Sequence, residues 1–515
     1  MKILLLVIYF GVMVAIGLYC RRNATDVSGF VLGGRSVGPW LTAFAYGTSY
    51  FSAVIFVGYA GQFGWKYGVA STWVGIGNAV IGSLLAWAVL GRRTRIMTQH
   101  FDSATMPQFF GQRFQSKGLK IGASLIVFIF LIPYTASLFN GLSRLFGMAF
   151  HIDYTVCIIL MGVLTGVYVI AGGYMATAIN DFIQGIVMLF GIVVIIGAVL
   201  HANGGFLEAL RGLAQVSDPE IPNGEVPGIF ASFFGPDPLN LLGVVILTSL
   251  GTWGLPQMVQ KFYAIKSEDS VQKGTIISTL FAVVVAGGCY FLGGFGRLFS
   301  DKIDIAANGF DSVIPTMLSG LPDILIALTV VLVLSASMST LSSLVIASSS
   351  TLTIDLLKDN FVKDMGERKT VLFIRCFIVV FVVLSMIIAV IQYKAQGSAV
   401  RFIAQLMGVS WGALAGAFLA PFLYGLYWKK TTKAACWTCY VFGAGIMVVN
   451  LLARSHFPTL LQSPINCGAF AMLAGLVIVP VVSVFTRKPD EAMVEEAFAC
   501  YEKKAPVAQR KALSD

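Results

Sequence analysis

Residues 42–53 read Thr42-Ala-Phe-Ala-Tyr-Gly-Thr48-Ser49-Tyr50-Phe51-Ser52-Ala53. They interrupt an apolar run over 39–63 and put Gly47, Thr48, Ser49 and Ser52 at the mid-depth of a membrane span. Hydroxyl side chains in a lipid-buried helix can bond the preceding turn's carbonyl or pack another helix. The alternative is a discontinuous helix whose freed carbonyls face a buried site, because irregular backbone at membrane depth is tolerated only there. A second stretch supplies the partner: Thr248-Ser-Leu-Gly251-Thr252-Trp-Gly254-Leu-Pro256. Pro256 removes a backbone donor and clashes with the turn before it. Two interrupted spans about 200 residues apart, in corresponding positions, point to an inverted repeat with its binding site near the midplane.

The rest of the chain agrees with a membrane setting. Of 515 residues, 57% are hydrophobic and 12% charged, where a soluble domain carries about 25% charged residues. Soluble enzymes, nucleic-acid binders and disordered scaffolds are excluded on that ground. Apolar runs at 3–20, 39–63, 70–90, 119–148, 154–171, 180–201, 239–260, 274–298, 322–350, 371–392, 401–428, 434–453 and 467–486 predict an all-α polytopic protein of about thirteen transmembrane helices. The first run ends on Arg21 and Arg22 without a small-residue cleavage site, so it reads as an uncleaved span. With the N-terminus outside and the C-terminus inside, 24 Lys and Arg fall on the inner side against six on the outer, the asymmetry expected of cytoplasmic loops.

The organisation that follows is one transmembrane unit over 1–486. It comprises an extra first helix at 3–20, a first repeat over 39–201, a second over 239–428, two additional helices at 434–486 and a cytoplasmic tail at 487–515. Five spans per half force opposite orientations, as the charges require. No G-x-x-x-x-G-K-[ST] occurs, so no nucleotide is expected to drive the protein. Cys436 and Cys439 form a C-W-T-C spacing without a second Cys pair, and the four His are scattered, so neither a metal centre nor an enzyme is expected.

The ninth span carries the chemistry. Ser335-Ala336-Ser337-Met338-Ser339-Thr340-Leu341-Ser342-Ser343 places Ala336, Ser339, Thr340 and Ser343 at i, i+3, i+4 and i+7, on one helix face. Uncharged oxygens suit a hard monovalent cation; a Ser-rich helix contact is the bland reading. Asp181 opens the sixth span, where an acid is expensive and usually functional, although a helix-capping role is open to it.

At these residues the chain resembles the sodium/solute symporter family, which includes bacterial proline and pantothenate symporters and sodium/glucose cotransporters. Leu32-Gly33-Gly34-Arg35-Ser36, Gly172-Gly173-Tyr174 with Asp181, Met338-Ser339-Thr340-Leu341-Ser342 and Gly425-Leu426-Tyr427-Trp428-Lys429-Lys430 carry the likeness. The resemblance implies a LeuT-type core of ten helices in a 5+5 inverted repeat, with one helix before and two after. It implies a main sodium site of the Thr48, Phe51 and Ala336 carbonyls with the Ser339 and Thr340 hydroxyls. A second sodium site would use Asp181, Ser339, Ser342 and Ser343. Solute contacts are expected among Ser49, Tyr50, Ser52, Tyr134, Thr248, Thr252 and Pro256. Tyr50 stands where the proline branch has an Asp, Thr248 and Thr252 replace that branch's aromatic contacts, and Arg144 comes too near the outer end of its span for the sialic-acid branch.

The expected function is sodium-coupled uptake of a small organic solute, such as an amino acid or carboxylate, by alternating access in the plasma membrane. The expected partners are the solute, Na+ and the lipid bilayer, with no nucleic acid and no nucleotide. A sodium-independent facilitative pathway would lack the hydroxyl face of the ninth span, and a membrane sensor on the same fold would need more than a short tail.

Overall fold

A computed structural model describes residues 2–150, 153–305, 309–358, 361–362, 365–394 and 403–502. The Arg144 side chain and tail residues 503–515 lie outside the described residues. No strand occurs among the described residues; the extended pairing is a parallel bridge between Val37 and Ile265.

The long helices are numbered here in chain order: α1 (Lys2–Cys20), α2 (Pro39–Tyr50), α3 (54–67), α4 (72–100) and α5 (Lys117–Phe150). Then come α6 (154–172), α7 (174–202), α8 (Pro238–Gly254), α9 (Pro256–Ala264) and α10 (Glu268–Gly293). The last five are α11 (Asp323–Lys358), α12 (Glu367–Lys394), α13 (Ile403–Tyr427), α14 (Lys433–Leu452) and α15 (Pro464–Phe485). Among the described residues nine helices are long and apolar enough to cross a membrane, or ten if the bent pair α8–α9 counts as one span. The expected thirteen differ from this count in identifiable places. Residues 54–100 are helical nearly throughout and hold the third expected span with half of the second. Tyr154–Ala202 holds the fifth and sixth, and α1 is a shorter apolar helix.

Gly173 separates α6 from α7 with φ of +56°, and an added Cβ there would lie 2.9 Å from the Phe30 carbonyl oxygen. A left-handed backbone in so close a contact demands glycine, which is the physical content of the Gly172-Gly173-Tyr174 motif. Both expected interruptions are present. α2 ends at Tyr50, Phe51 is extended (φ −81°, ψ 126°), and helix resumes after Ala53. α8 and α9 meet at extended Leu255 with a 45° bend. Pro256 is therefore the first residue of α9, a position where its fixed φ is suited and no intrahelical donor is needed.

These broken elements sit in the middle of the molecule. α11 packs against α2, α5 and the α6–α7 segment, and α9 packs against both α2 and α11. The most apolar stretch of α13 is 94% buried, against 33% for α12, so α13 belongs to the core and α12 faces outward.

Candidate functional site

The break after Tyr50 sets the site. Where the helix stops, the last carbonyls lose their intrahelical partners, and those of Thr48 and Phe51 turn toward α11. Ser339 Oγ lies 3.0 Å from Thr48 O and 2.9 Å from Ala336 O. Thr340 Oγ1 lies 3.1 Å from each of Thr48 O, Phe51 O and Ala336 O. All five oxygens expected at the main sodium site thus converge, fully buried. Two hydroxyl hydrogens are shared among three carbonyls. A hydroxyl rotor that turns its hydrogen away offers lone pairs instead, so the cradle can present five neutral oxygens to a cation and replace part of its water shell, as carbonyl rings do in ion filters. Ser337 Oγ accepts the Ala53 N–H at 3.1 Å, which fastens the far side of the break to the same helix.

A charged cluster lies one turn further along α11. Lys261, on α9, is buried, and its Nζ donates to Ser343 Oγ at 2.9 Å. It stands 4.0 Å from Asp181 Oδ2 and 5.0 Å above the Tyr174 ring. Neither Asp181 oxygen receives a hydrogen bond. Ser342 Oγ donates to Ser339 O at 2.8 Å, within its own helix. Of the four residues expected at a second sodium site, Asp181 and Ser343 are therefore brought together around an ammonium of the protein itself. Lys261 corrects the inner-loop assignment made from charge alone: the apolar run was closed at residue 260, one position before a lysine that is in fact interior.

The solute candidates divide. Tyr50 and Thr252 line a cavity between the two breaks, together with Asn78, Gly82 and Phe281. It measures about 20 Å³, room for one water. Asn78 Nδ2 donates to the Tyr50 hydroxyl, and Thr252 Oγ1 donates to Gly82 O at 3.0 Å. Thr248 lies beside Tyr50 and bonds Val244 O at 2.9 Å. Ser52 and Tyr134 flank Trp411, whose ring centroid is 5.8 Å from that of Tyr134 and 5.7 Å from that of Tyr50. The Ser52 Oγ and Trp411 Nε1 adjoin the Tyr134 hydroxyl, and among the described residues none of the three buried groups makes a well-formed hydrogen bond. Two candidates fall elsewhere. Ser49 Oγ pairs with Ser343 Oγ at 2.8 Å and joins the Lys261 cluster, because it projects from α2 on the α11 side. Pro256, at the start of α9, lines a separate crevice with Thr105, Gln260 and Ser350. Trp411, Asn78 and Lys261 were missed. The signal for Trp411 was present: a tryptophan at mid-span, away from the interfacial belts these residues favour.

The two ends of the molecule are unlike. At the end that gathers the basic loops, Val37 N–H donates to Ala264 O at 3.2 Å and Lys266 N–H to Val37 O at 3.0 Å, tying the approach to α2 to the end of α9. Arg35 donates to Ser103 O at 2.7 Å and Tyr263 O at 3.1 Å, and Arg95 to Ile265 O. Burial pulls the Arg35 guanidinium below its ordinary value, with Asp102 opposing. The opposite end holds an open basin of about 480 Å³ lined by Lys66, Tyr67, Glu220, Asp237, Gln405 and Arg454.

A chain of apolar helices, one broken at a neutral oxygen cradle and another broken at Leu255, is a multi-pass transporter of the cell membrane and not an enzyme. The sequence profile of the sodium:solute symporter family matches residues 30–443, and the chain belongs to that family. It is 27% identical over 490 residues to the osmoregulated proline transporter OpuE of Bacillus subtilis (strain 168), covering 94% of this chain and 95% of that one. It is 28% identical over 498 residues to the sodium/proline symporter of Staphylococcus aureus (strain JH9), covering 94% and 93%. A Na+-coupled sialic acid symporter, solved in a substrate-bound outward-open state, superimposes with a TM-score of 0.73 at 16% identity over 95% of this chain and 99% of that one. Mhp1, a nucleobase-cation-symport-1 family transporter in a closed conformation, gives a TM-score of 0.52 at 14% identity over 91% and 97%. The last two are likenesses of fold.

Proposed function

We propose that this protein carries a small carboxylate-bearing organic solute into the cell together with sodium, which binds at Thr48, Phe51, Ala336, Ser339 and Thr340. The convergence of those five oxygens on the α2 break carries the reading. A set without formal charge can take up and give back a monovalent ion, whereas a set of carboxylates would hold a divalent one tightly. Thirteen spans in two inverted halves, with the N-terminus outside and the basic loops inside, would make the bridged end cytoplasmic and the open basin extracellular. In that orientation sodium and solute enter from the basin, and release requires the Val37–Ile265 bridge to open.

The solute class is read from the unpartnered polar groups beside the cavity. Ser52, Trp411 and the Tyr134 hydroxyl gather at one point, and among the described residues none of the three polar groups makes a well-formed hydrogen bond; a buried group left so costs about 1–3 kcal/mol. A carboxylate is the acceptor that satisfies several donors at once. Proline, the solute named for the two bacterial relatives, has a carboxylate, but Tyr50 stands where the proline branch has an acid, and Thr248 and Thr252 stand where it has aromatic contacts.

The test is uptake and counterflow of a panel of amino acids and small carboxylates in proteoliposomes, with and without a sodium gradient. Accumulation above equilibrium only with inward sodium is expected. Equal counterflow in sodium and potassium, with no accumulation in either, would make the protein a facilitative pathway instead.

A further inference from the structure

We infer that the Lys261 ammonium is a built-in cation that takes the place of a second sodium beside Asp181, so that the protein binds a single sodium. The inference deepens the proposed function and rests on its sodium cradle.

Asp181 is buried within α7, two turns past Gly173, so it does not open or cap that helix, and among the described residues neither of its carboxylate oxygens receives a hydrogen bond. A buried carboxylate without donors needs a cation. Among the described residues, Tyr9, Tyr168 and Tyr174 lie near enough to feel its charge, but none of their hydroxyls bonds it, and the cation beside it is the Lys261 ammonium. That ammonium donates to Ser343 Oγ at 2.9 Å and lies 4.0 Å from Asp181 Oδ2. Ser343 in turn touches Ser49 at 2.8 Å, so one positive charge stands among oxygens from α2, α7 and α11.

A lysine ammonium is a compact point charge with three donors, the side chain most like a bound alkali ion. With it in place the carboxylate and the ammonium cancel, and a sodium ion brought to Asp181 and Ser343 would meet a like charge at close range in a medium that screens poorly. Ser342 Oγ donates to Ser339 O at 2.8 Å, whereas Ser343 Oγ already accepts from the Lys261 ammonium. The tethered cation also differs from sodium in one functional respect. It is carried on α9, half of a broken helix, and cannot leave, so it contributes to the closed arrangement without adding an ion to the cycle.

The experiment counts sodium directly, with 22Na+ equilibrium binding to the purified full-length protein in potassium-balanced buffer, no solute being needed. Wild type is expected to bind one sodium per chain. Lys261→Gln, which leaves Asp181 and the serines with no ammonium, is expected to bind two, and Lys261→Gln with Asp181→Asn is expected to return to one. Two sodiums in wild type, or one in folded Lys261→Gln, would overturn the inference. The doubly neutral variant guards against misfolding of the single one, because it leaves no uncompensated charge: a count of one agrees with the inference, and a count of zero overturns it by making the charged pair part of the only sodium site. Loss of the wild-type sodium in Ser339→Ala with Thr340→Ala reports on the main cradle alone, so failure of that reading is seen separately.

Discussion

Ser339 and Thr340 lie one turn from Ser343 on the same helix, yet the two pockets they serve are built on opposite electrostatic plans. The cradle at the α2 break holds five uncharged oxygens, two of them hydroxyls that can reverse. The neighbouring pocket holds a full negative and a full positive charge, both from the protein. Neutral oxygens can take up an ion from solution and give it back. A buried charge pair has already satisfied itself, and breaking it is costly because either partner alone is stranded. Proximity on one helix therefore does not make two sites alike; the net charge of each decides whether it exchanges ions.

The sharpest way to break this contrast is to strand one charge. Lys261→Met should lower folding stability in sodium-free buffer by about 3–5 kcal/mol, the usual effect of removing one partner of a buried pair. Sodium should recover part of the loss by binding to the folded state, and the Asp181→Asn with Lys261→Gln pair should lose much less. Thermal unfolding of the three proteins in sodium and in potassium measures it; equal losses for single and double variants would mean the two residues do not interact.

On the neutral side the effect should fall on affinity rather than stability. Ser339→Ala or Thr340→Ala removes one ligand, and a tenfold rise in the half-saturating sodium concentration, about 1.4 kcal/mol, is expected for each. The double variant should lose about a hundredfold. Sodium titrations of uptake check it, and unchanged sodium dependence in the double variant would move the site elsewhere.

Next in size is the cavity between the breaks. Thr252→Leu adds carbon where there is room for about one water, an overpacking typically worth about 1–3 kcal/mol. It should raise the half-saturating solute concentration roughly tenfold and the sodium value much less. Equal shifts in both would indicate a global conformational bias.

The smallest effect carries two signs. Tyr134→Phe deletes a buried hydroxyl that makes no well-formed hydrogen bond among the described residues, so the solute-free protein should become more stable by about 1 kcal/mol. Solute affinity should fall several-fold, because a donor for the carboxylate is lost. A gain in stability with unchanged solute affinity would leave Tyr134 a packing residue against Trp411.

Much of the architecture was legible in the residues because it follows from local rules. Lipid cannot satisfy a backbone, so apolar runs of span length had to be helices, and Gly, Ser, Thr and Pro inside two of them marked where helix would stop. The face formed by Ala336, Ser339, Thr340 and Ser343 followed from helical periodicity, and the approach of the first three to Thr48 and Phe51 agrees with it. The count of spans was less legible, since hydropathy does not show that helix runs nearly without a gap through 54–100 and through 154–202, broken in the latter at the left-handed Gly173.

Lys261 shows the limit most clearly. The sequence by itself determined that a lysine follows Pro256 by five residues at the end of an apolar run, and charge alone sent it to a loop. It also determined the neutral oxygen set, the buried acid at Asp181 and the two helix breaks. Only the tertiary structure decided that α9 lies against α2 and α11, which carries the ammonium inward to Asp181 and Ser343 and leaves Ser49 in that cluster instead of on the solute wall. The physical reason is that a buried charge is set by what surrounds it in space, and its partners here are some 80 residues away in either direction along the chain.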